Sequence, residues 1–428
     1  MPKLPLIMLE THIKVGFLLR YCPPRPTWKS MKNPHSLIFV VFLAALAGLP
    51  PLSIDMALPA LHGIAATLTT SLGRAGLTLS LFMAGFAITP LIYGPVSDRL
   101  GRRPVLLFGL GLFTIGSIAC ALSPSIFILL VARFAEGAGA GAGISMAFAV
   151  VRDSFEGEES RTKLSYVQLV MSLAPLLAPS IGALLLGVAN WRLIYGMLGV
   201  LGAVLLAIIF WGFTESHPNS VRTGSLFGQM RRGYQMLFES RAGMGFALVY
   251  ALSFGVQFSF IAGSPLVFMG HFGVSARIYG LIFACTSCGI MAGAFLNTRL
   301  SKHGISGRVP LLAGFFIYLA TSIAMLTLDA TSAATALTLT SMLVLSAFAF
   351  GMIGPNASHG ALQALPEIGG IAGAILTSLQ MTVAVVTSAM VAAGYAAFGL
   401  HAMLFPMLGF SIFTILAYVL LARSRSPA

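Results

Sequence analysis

Charge is scarce in this sequence. Asp, Glu, Lys and Arg together make up 9% of 428 residues, and the acids number only 12. A chain this poor in charge cannot furnish the surface of a soluble protein of the same size. Cysteine is sparser still, with four residues. Cys22, Cys120, Cys285 and Cys288 give no disulfide framework, and the C-x-x-C of the last two lies in an apolar stretch with no second pair or histidine nearby. They read as packing residues. The eight histidines are scattered at 13, 35, 62, 217, 271, 303, 359 and 401. That spacing argues against a membrane-embedded enzyme built on clustered histidines and acids, and no metal or other cofactor is expected. No G-x-x-x-x-G-K-[ST] occurs, so nucleotide-driven pumping has no basis here. Gly137-Ala138-Gly139 with Ala142 brushes the dinucleotide pattern, but no strand precedes it. A sensor would carry a soluble signalling domain, and none is legible.

Apolar residues fill the space. They make up 57% of the chain, and the mean hydropathy is +0.92. This is the composition of a polytopic membrane protein. Each crossing needs about 20 largely apolar residues. Twelve such spans are predicted near 36–61, 75–96, 104–122, 125–150, 163–187, 192–213, 244–269, 278–298, 309–328, 334–356, 368–394 and 399–421. The expected fold is an all-α membrane protein with twelve transmembrane helices in two six-helix bundles. The bundles are assigned to 36–214 and 243–422, joined by a linker at 215–242. A basic tail at 1–35 precedes them, and a short tail at 423–428 follows. The first tail is too broken by prolines to span and has no small-residue cleavage site. Met31 would serve equally well as a start.

The 25 basic residues set the orientation. With both termini cytoplasmic, 21 lie on the inner side. Arg99, Arg102 and Arg103 are in the loop between spans 2 and 3; Arg152, Arg161 and Lys163 lie between spans 4 and 5. Only Arg74, Arg192 and Arg277 fall outside, and Arg133 is left within a span. The bias predicts both termini inside. The excess of positive charge is therefore a topology signal, and nucleic acid is not an expected partner. The loop between spans 8 and 9, Arg299-Leu300-Ser301-Lys302-His303-Gly304, weakly echoes Asp98-Arg99-Leu100-Gly101-Arg102, which suggests duplication of one half.

Ionised groups in hydrocarbon cost at least ~2.5–3.5 kcal/mol each. Three charged residues lie well inside the predicted spans: Asp55, Arg133 and Glu136. Asp55 sits among Pro50, Pro51 and Pro59, which break span 1 and free backbone carbonyls. It reads either as an interfacial residue or as a protonatable group facing a central cavity. Arg133 and Glu136 are one turn apart on one face of span 4. They read either as a structural ion pair or as a proton-coupling switch, in which protonating the carboxylate releases the arginine. Pro175 and Pro179 bend span 5 as a passive kink or as part of a gate. Tyr166, Gln257, Phe258, Asn356 and Gln380 are candidates for lining a substrate cavity.

Several of these segments together resemble one family. Gly94-Pro95-Val96-Ser97-Asp98-Arg99-Leu100-Gly101-Arg102-Arg103-Pro104 resembles the loop between helices two and three of major facilitator superfamily transporters. Arg133 to Gly137 is similar to the Arg-x-x-Gln-Gly element of the twelve-span drug:proton antiporter branch. Ala174 to Gly182, with Pro175, Pro179 and Gly182, is similar to its span-five antiporter motif. Asp55-Met56-Ala57-Leu58-Pro59, Val151-Arg152-Asp153, Asn190-Trp191-Arg192 and Ala262-Gly263-Ser264-Pro265 resemble the Bcr/CflA-type efflux proteins within it. Glu136 departs from the pattern, standing where the family usually has glutamine, and Gly182 is followed by Ala183 rather than a second glycine. The resemblance implies a multi-pass, monomeric protein of the bacterial inner membrane, surrounded by lipid. It would export small amphipathic drugs or antibiotics in exchange for protons by alternating access. Proton-coupled export of a metabolite such as a sugar or amino acid, or an uptake symport, are the alternatives. It further implies proton coupling at Asp55, Arg133 and Glu136. A conformational latch is implied at Gly94, Asp98, Arg99, Gly101, Arg102 and Arg103, with Asp98 tied to the start of span 11 near Gly369-Gly370.

Overall fold

A computed structural model describes residues 37–213, 215, 226–364 and 369–422. The tails at 1–35 and 423–428 and much of the linker lie outside the described residues. Every element described is helical. Twelve helices are long and apolar enough to cross a membrane. Spans 1 to 6 are Ile38–Thr67, Leu72–Leu100, Arg102–Leu122, Ile126–Ser154, Gly157–Val188 and Arg192–Gly212. Spans 7 to 12 are Arg241–His271, Ala276–Lys302, Arg308–Ala330, Ala336–Gln363, Ala372–Phe398 and His401–Ala422.

Most helices outrun the apolar runs that announce them. Span 5 starts at Gly157 rather than 163, so Glu158, Glu159, Arg161 and Lys163 ride on its first turns. Helical hydrogen bonding continues past the oily stretch, and the two acids suit a helix N-terminus. Span 10 likewise runs to Gln363 rather than 356. Side-chain caps fix several starts: Ser71 accepts from Arg74 N, Ser125 from Ile128 N, and Thr335 forms a capping box with Thr338. The linker holds a helix that the sequence reading does not contain, Leu226–Glu239. Its apolar residues at 226, 230, 234 and 237 keep helical spacing. Leu237 is buried with Ala247, Ala361 and Ile375, and Tyr234 packs against that cluster.

Two prolines are accommodated by a hydroxyl on the residue before them. Pro90 has no N–H for the Phe86 carbonyl, and the Thr89 hydroxyl donates to it instead at 2.7 Å. Pro265 leaves the Ile261 carbonyl in the same position, and the Ser264 hydroxyl takes over at 3.4 Å. Beyond Pro265 the chain widens into a π-helical turn, Pro265–His271. In span 1 the α-helix stops at Asp55, passes through a 3₁₀ turn at Leu58–Ala60 and resumes at Leu61–Thr67.

The packing repeats with a shift of six. Span 2 lies on span 4, span 3 on spans 4 and 6, and span 1 on spans 4 and 5; the second half pairs 8 with 10, 9 with 10 and 12, and 7 with 10 and 11. Contacts between the halves are mainly span 2 with span 11 and span 5 with span 8, again related by six. A reciprocal glycine clasp marks both copies. Gly85 of span 2 lies against the Phe134 carbonyl of span 4, and Gly137 of span 4 against the Phe82 carbonyl of span 2. In the second half Gly293 meets the Phe348 carbonyl and Gly351 meets the Ile290 carbonyl. Each glycine sits three residues after the residue whose carbonyl its partner touches. The absence of a Cβ lets the backbones meet, as small residues do between membrane helices.

Gly137→Ala and Gly351→Ala each force a methyl group onto a facing carbonyl. Each is expected to cost about 2 kcal/mol, read as a lower thermal unfolding midpoint in detergent. Gly187→Ala, at a position with open space around it, is expected to lower nothing.

Candidate functional site

Span 4 carries its ion pair into the interior of the first half. Arg133 is 1% exposed and Glu136 0%. Arg133 Nη1 donates to Glu136 Oε2 at 2.8 Å and to Ser53 Oγ at 2.9 Å. Ser53 Oγ donates to Glu136 Oε1 at 2.6 Å, and the Cys120 thiol lies 3.5 Å from Oε2. The guanidinium also donates to the Thr78 and Ser53 carbonyls. It stacks 4.4 Å from the Phe82 ring centroid and 5.4 Å from that of Tyr195. Spans 1, 2, 3, 4 and 6 therefore all contribute to one buried site. Gly116 of span 3 makes this possible by lying directly on the Glu136 backbone. Ser53, Thr78, Cys120 and Tyr195 are participants that sequence reasoning missed, Cys120 having been read as a packing residue; Ser53 touches both members of the pair. Its neighbours in space lie 80 and 83 positions away, and no spacing rule reaches that far.

Asp55 points elsewhere. It is 4% exposed, and no cation pairs with it among the described residues. The next residue, Met56, lies with its carbonyl against Gly182 of span 5. Asp55 is within electrostatic reach of Tyr279 of span 8, whose hydroxyl shares a 2.9 Å hydrogen bond with Ser264 of span 7. Gly280 of span 8 in turn packs on Ser180 of span 5. Asp55 thus sits where span 1 meets spans 5 and 8, at the junction of the two halves. Ser53 and Asp55, two residues apart, face opposite ways from the broken end of span 1, one toward Glu136 and one toward the other half.

The halves are tightly apposed at this end. Gly73 and Gly76 of span 2 press against Ala392 of span 11, and Gly270 lies beside His62 and Tyr395. Nearer the middle, Ser378 Oγ of span 11 donates to the Ala87 carbonyl of span 2 at 2.9 Å.

At the opposite end the loop between spans 2 and 3 forms a charged cluster. Gly101 has φ +94°, a conformation that favours glycine. Arg102 turns back to Asp98 at 2.6 Å and Asp153 of span 4 at 2.8 Å, and also reaches Ser97 Oγ. Glu215 accepts from the backbone N–H groups of Arg102 and Arg103 at 2.8 and 3.0 Å. It caps the positive end of span 3. Arg103 donates to the Phe210 carbonyl at 2.8 Å. Arg99 is exposed, and nothing crowds Gly94. Gly369 and Gly370 begin a helix, but their surroundings lie outside the described residues, and with them the expected tie to Asp98. Asp153 and Glu215 were not among the expected latch residues. A carboxylate three residues past a span, as Glu215 is, carries no local signal that it folds over a helix start.

The remaining candidates are dispersed. Pro179 and Gly182 are buried in span 5 and Pro175 partly so, whereas Tyr166 is 50% exposed. Gln257 and Phe258 are buried in span 7, and Gln380 is buried in span 11. Asn356 donates to Asn297 Oδ1 and to the Met352 carbonyl, both at 2.7 Å, so its amide is engaged within the second half. The described residues contain no group of three or more His, Cys, Asp and Glu able to hold a metal ion.

Comparison with known proteins follows this geometry. The Major Facilitator Superfamily matches residues 37–387. The MFS-type transporter YdgK of Bacillus subtilis is 36% identical over 265 residues, spanning 61% of this chain and 66% of that one. The bicyclomycin resistance protein homolog of Haemophilus influenzae is 27% identical over 367 residues, spanning 83% and 89%. The multidrug resistance protein MdtL of Escherichia coli is 29% identical over 285 residues, spanning 67% and 72%. Among solved structures, a bacterial homologue of the human lysosomal transporter Spinster, inward-facing and occupied, aligns with a TM-score of 0.70 at 16% identity, covering 92% of this chain and all of that one. With twelve apolar helices, the chain is a multi-pass protein of the bacterial inner membrane.

Arg133→Met strands the Glu136 charge and is expected to destabilise by about 3 kcal/mol. Arg133→Met combined with Glu136→Met removes both charges and is expected to recover most of that loss. Denaturation of the purified variants in detergent measures both.

Proposed function

The chain belongs to the Major Facilitator Superfamily, and from that premise we propose that it is a proton-coupled antiporter. It exports small amphipathic drugs or antibiotics across the cytoplasmic membrane by rocking its two halves around a central cavity. The relatives named for bicyclomycin resistance and multidrug resistance support the cargo class. The excess of basic residues at one end supports an orientation with that end and both termini in the cytoplasm. The proposed division is a tail at 1–35, bundles at 36–214 and 243–422, a linker at 215–242, and a closing tail at 423–428.

The observation that carries the reading is Asp55, buried where spans 1, 5 and 8 meet with no cation paired to it among the described residues. Burying a lone carboxylate costs far more than burying a carboxylic acid. In this reading Asp55 carries a proton while the halves are apposed. Parting the halves at this end wets the carboxyl, releases the constraint and lets cargo leave as a proton is taken up. The proton then travels inward with the closing movement and is released when cargo binds from the cytoplasm. Glu136 is a second proton site. Its protonation weakens the hold on Arg133, which keeps Ser53, the Thr78 carbonyl and the Phe82 ring as partners. The cluster of Asp98, Arg99, Gly101, Arg102 and Arg103, with Gly94 before it, acts as the cytoplasmic latch. The bends at Pro175 and Pro179 and the packing of Gly182 on Met56 make span 5 a moving wall. Tyr166, Gln257, Phe258, Asn356 and Gln380 are the proposed cavity set, with Asn356 needing to give up its present partners to meet a ligand.

Inverted vesicles carrying Asp55→Asn or Glu136→Gln are expected to lose substrate accumulation driven by a proton gradient while still binding substrate. Accumulation unchanged by both substitutions would remove these acids from coupling. A second test uses the apposed end. A methyl group built on Gly76 lies 3.3 Å from the Ala392 Cβ, close to the reach of a disulfide. Oxidised Gly76→Cys with Ala392→Cys is expected to stop transport, and a reductant to restore it. Transport that persists through the cross-link contradicts rocking at this end.

A further inference from the structure

We propose that spans 3, 4 and 6 enclose an internal hydration site bounded by Ser117, Cys120, Glu136 and Tyr195, and that water held there hands Glu136 its proton. The inference rests on the reading of Glu136 as a proton carrier and adds the route.

Three polar atoms carry the argument. Tyr195 Oη, Ser117 Oγ and Trp191 Nε1 are fully buried and have no hydrogen-bond partner among the described residues. Tyr195 and Ser117 are 0% exposed and Trp191 is 1%. Leaving such a group unpaired costs about 1–3 kcal/mol, and three in one neighbourhood need a common explanation. They are neighbours. Trp191 and Tyr195 are one turn apart on span 6, with ring centroids 5.9 Å apart and edge-on. The Tyr195 hydroxyl is within electrostatic reach of Arg133, Cys120 and Glu136. Ser117 lies one turn from Cys120 on span 3, facing Gly199, which is one turn from Tyr195. Ser117 also breaks the habit of its own helix. Thr114 satisfies its hydroxyl on the Leu110 carbonyl at 2.7 Å, and Ser117 makes no such bond. A buried water takes two to four polar partners. Tyr195 Oη, Ser117 Oγ, the Cys120 thiol and Glu136 Oε2 are the partners proposed for it.

The site has a lid on the side away from the charged loop. Trp191 is the first residue above Tyr195 on that side. The Arg192 guanidinium lies 4.4 Å over its ring and donates to the Ser123 carbonyl at 2.9 Å. Asn190-Trp191-Arg192 thereby gains a role that the cavity and the latch do not give it. When the lid shifts, a hydronium at that face passes its proton through the held water to Glu136 Oε2. The carboxylate becomes a carboxylic acid, the carrier becomes water, and Arg133 keeps its own proton. The titratable or charged groups facing Glu136 are Arg133 from its own span, Cys120 from span 3 and Tyr195 from span 6; span 1 contributes only the Ser53 hydroxyl.

Cys120 is a built-in reporter. With Cys22→Ser, Cys285→Ser and Cys288→Ser, it is the only thiol in the full-length chain. Infrared spectroscopy of this protein in lipid then follows exchange of its S–H for S–D in heavy water, without any need for transport. Exchange within minutes is expected, slowed about tenfold or more in Tyr195→Phe and in Ser117→Val. An S–H band that persists for hours in the parent, or exchange that both substitutions leave unchanged, overturns the hydration site. Either result leaves the coupling role of Glu136 to be judged by the Glu136→Gln vesicles, so the two ideas fail separately.

Discussion

One buried ion pair organises the first half of this protein. Arg133 and Glu136 cannot sit in hydrocarbon unless each meets the other and every remaining donor and acceptor is answered. Ser53, the Thr78 carbonyl and the Phe82 and Tyr195 rings supply those answers from three other spans. The demand explains local features that look unrelated in the chain. Gly116 lets span 3 lie on the Glu136 backbone. The helix of span 1 runs through Pro50 and Pro51 and ends at Asp55, just past Ser53, whose hydroxyl and carbonyl both serve the pair. The cost of the two charges is thus spread over most of a bundle, which gives a change at Glu136 a way to be felt in several spans at once.

Span 1 also separates the two acids. Ser53 faces the ion pair and Asp55 faces the other half, so a single broken helix end is in contact with both proposed proton sites. Movement of that end alters the surroundings of both. The glycine clasps of spans 2 with 4 and 8 with 10 point the other way, toward rigidity: backbones in direct contact have little room to slide. The seams between the halves use the same device: Gly73 of span 2 meets the Ala392 carbonyl of span 11, and Gly280 of span 8 packs on Ser180 of span 5.

Much of this was readable from the chain. Hydrophobic length gave the twelve spans because a membrane crossing has a fixed thickness. The spacing of Arg133 and Glu136 gave the pair because neighbours on one helix turn meet whatever surrounds them. The clasps were hidden for a different reason. Phe82 and Gly85, Phe134 and Gly137, Ile290 and Gly293, and Phe348 and Gly351 share a spacing, but only contact across helices shows that the spacing means reciprocity. Ser53, Asp153 and Glu215 act on partners far along the sequence, and an ordinary serine or a carboxylate past a helix end gives no local sign of that. Asn356 illustrates the converse. A polar residue in a span suggests a ligand, yet its amide is spent on Asn297 and on its own helix.

The central claim is that carboxyl groups on either side of span 1 trade a proton for cargo. It is tested most directly by proton release from the purified protein in weakly buffered detergent solution, followed with a pH-sensitive dye as an exported antibiotic is added. The account predicts that antibiotic binding releases protons from the native chain, and that a chain with both Asp55→Asn and Glu136→Gln binds the same antibiotic and releases none. Binding without release in the native chain, or equal release from the doubly substituted chain, would contradict it.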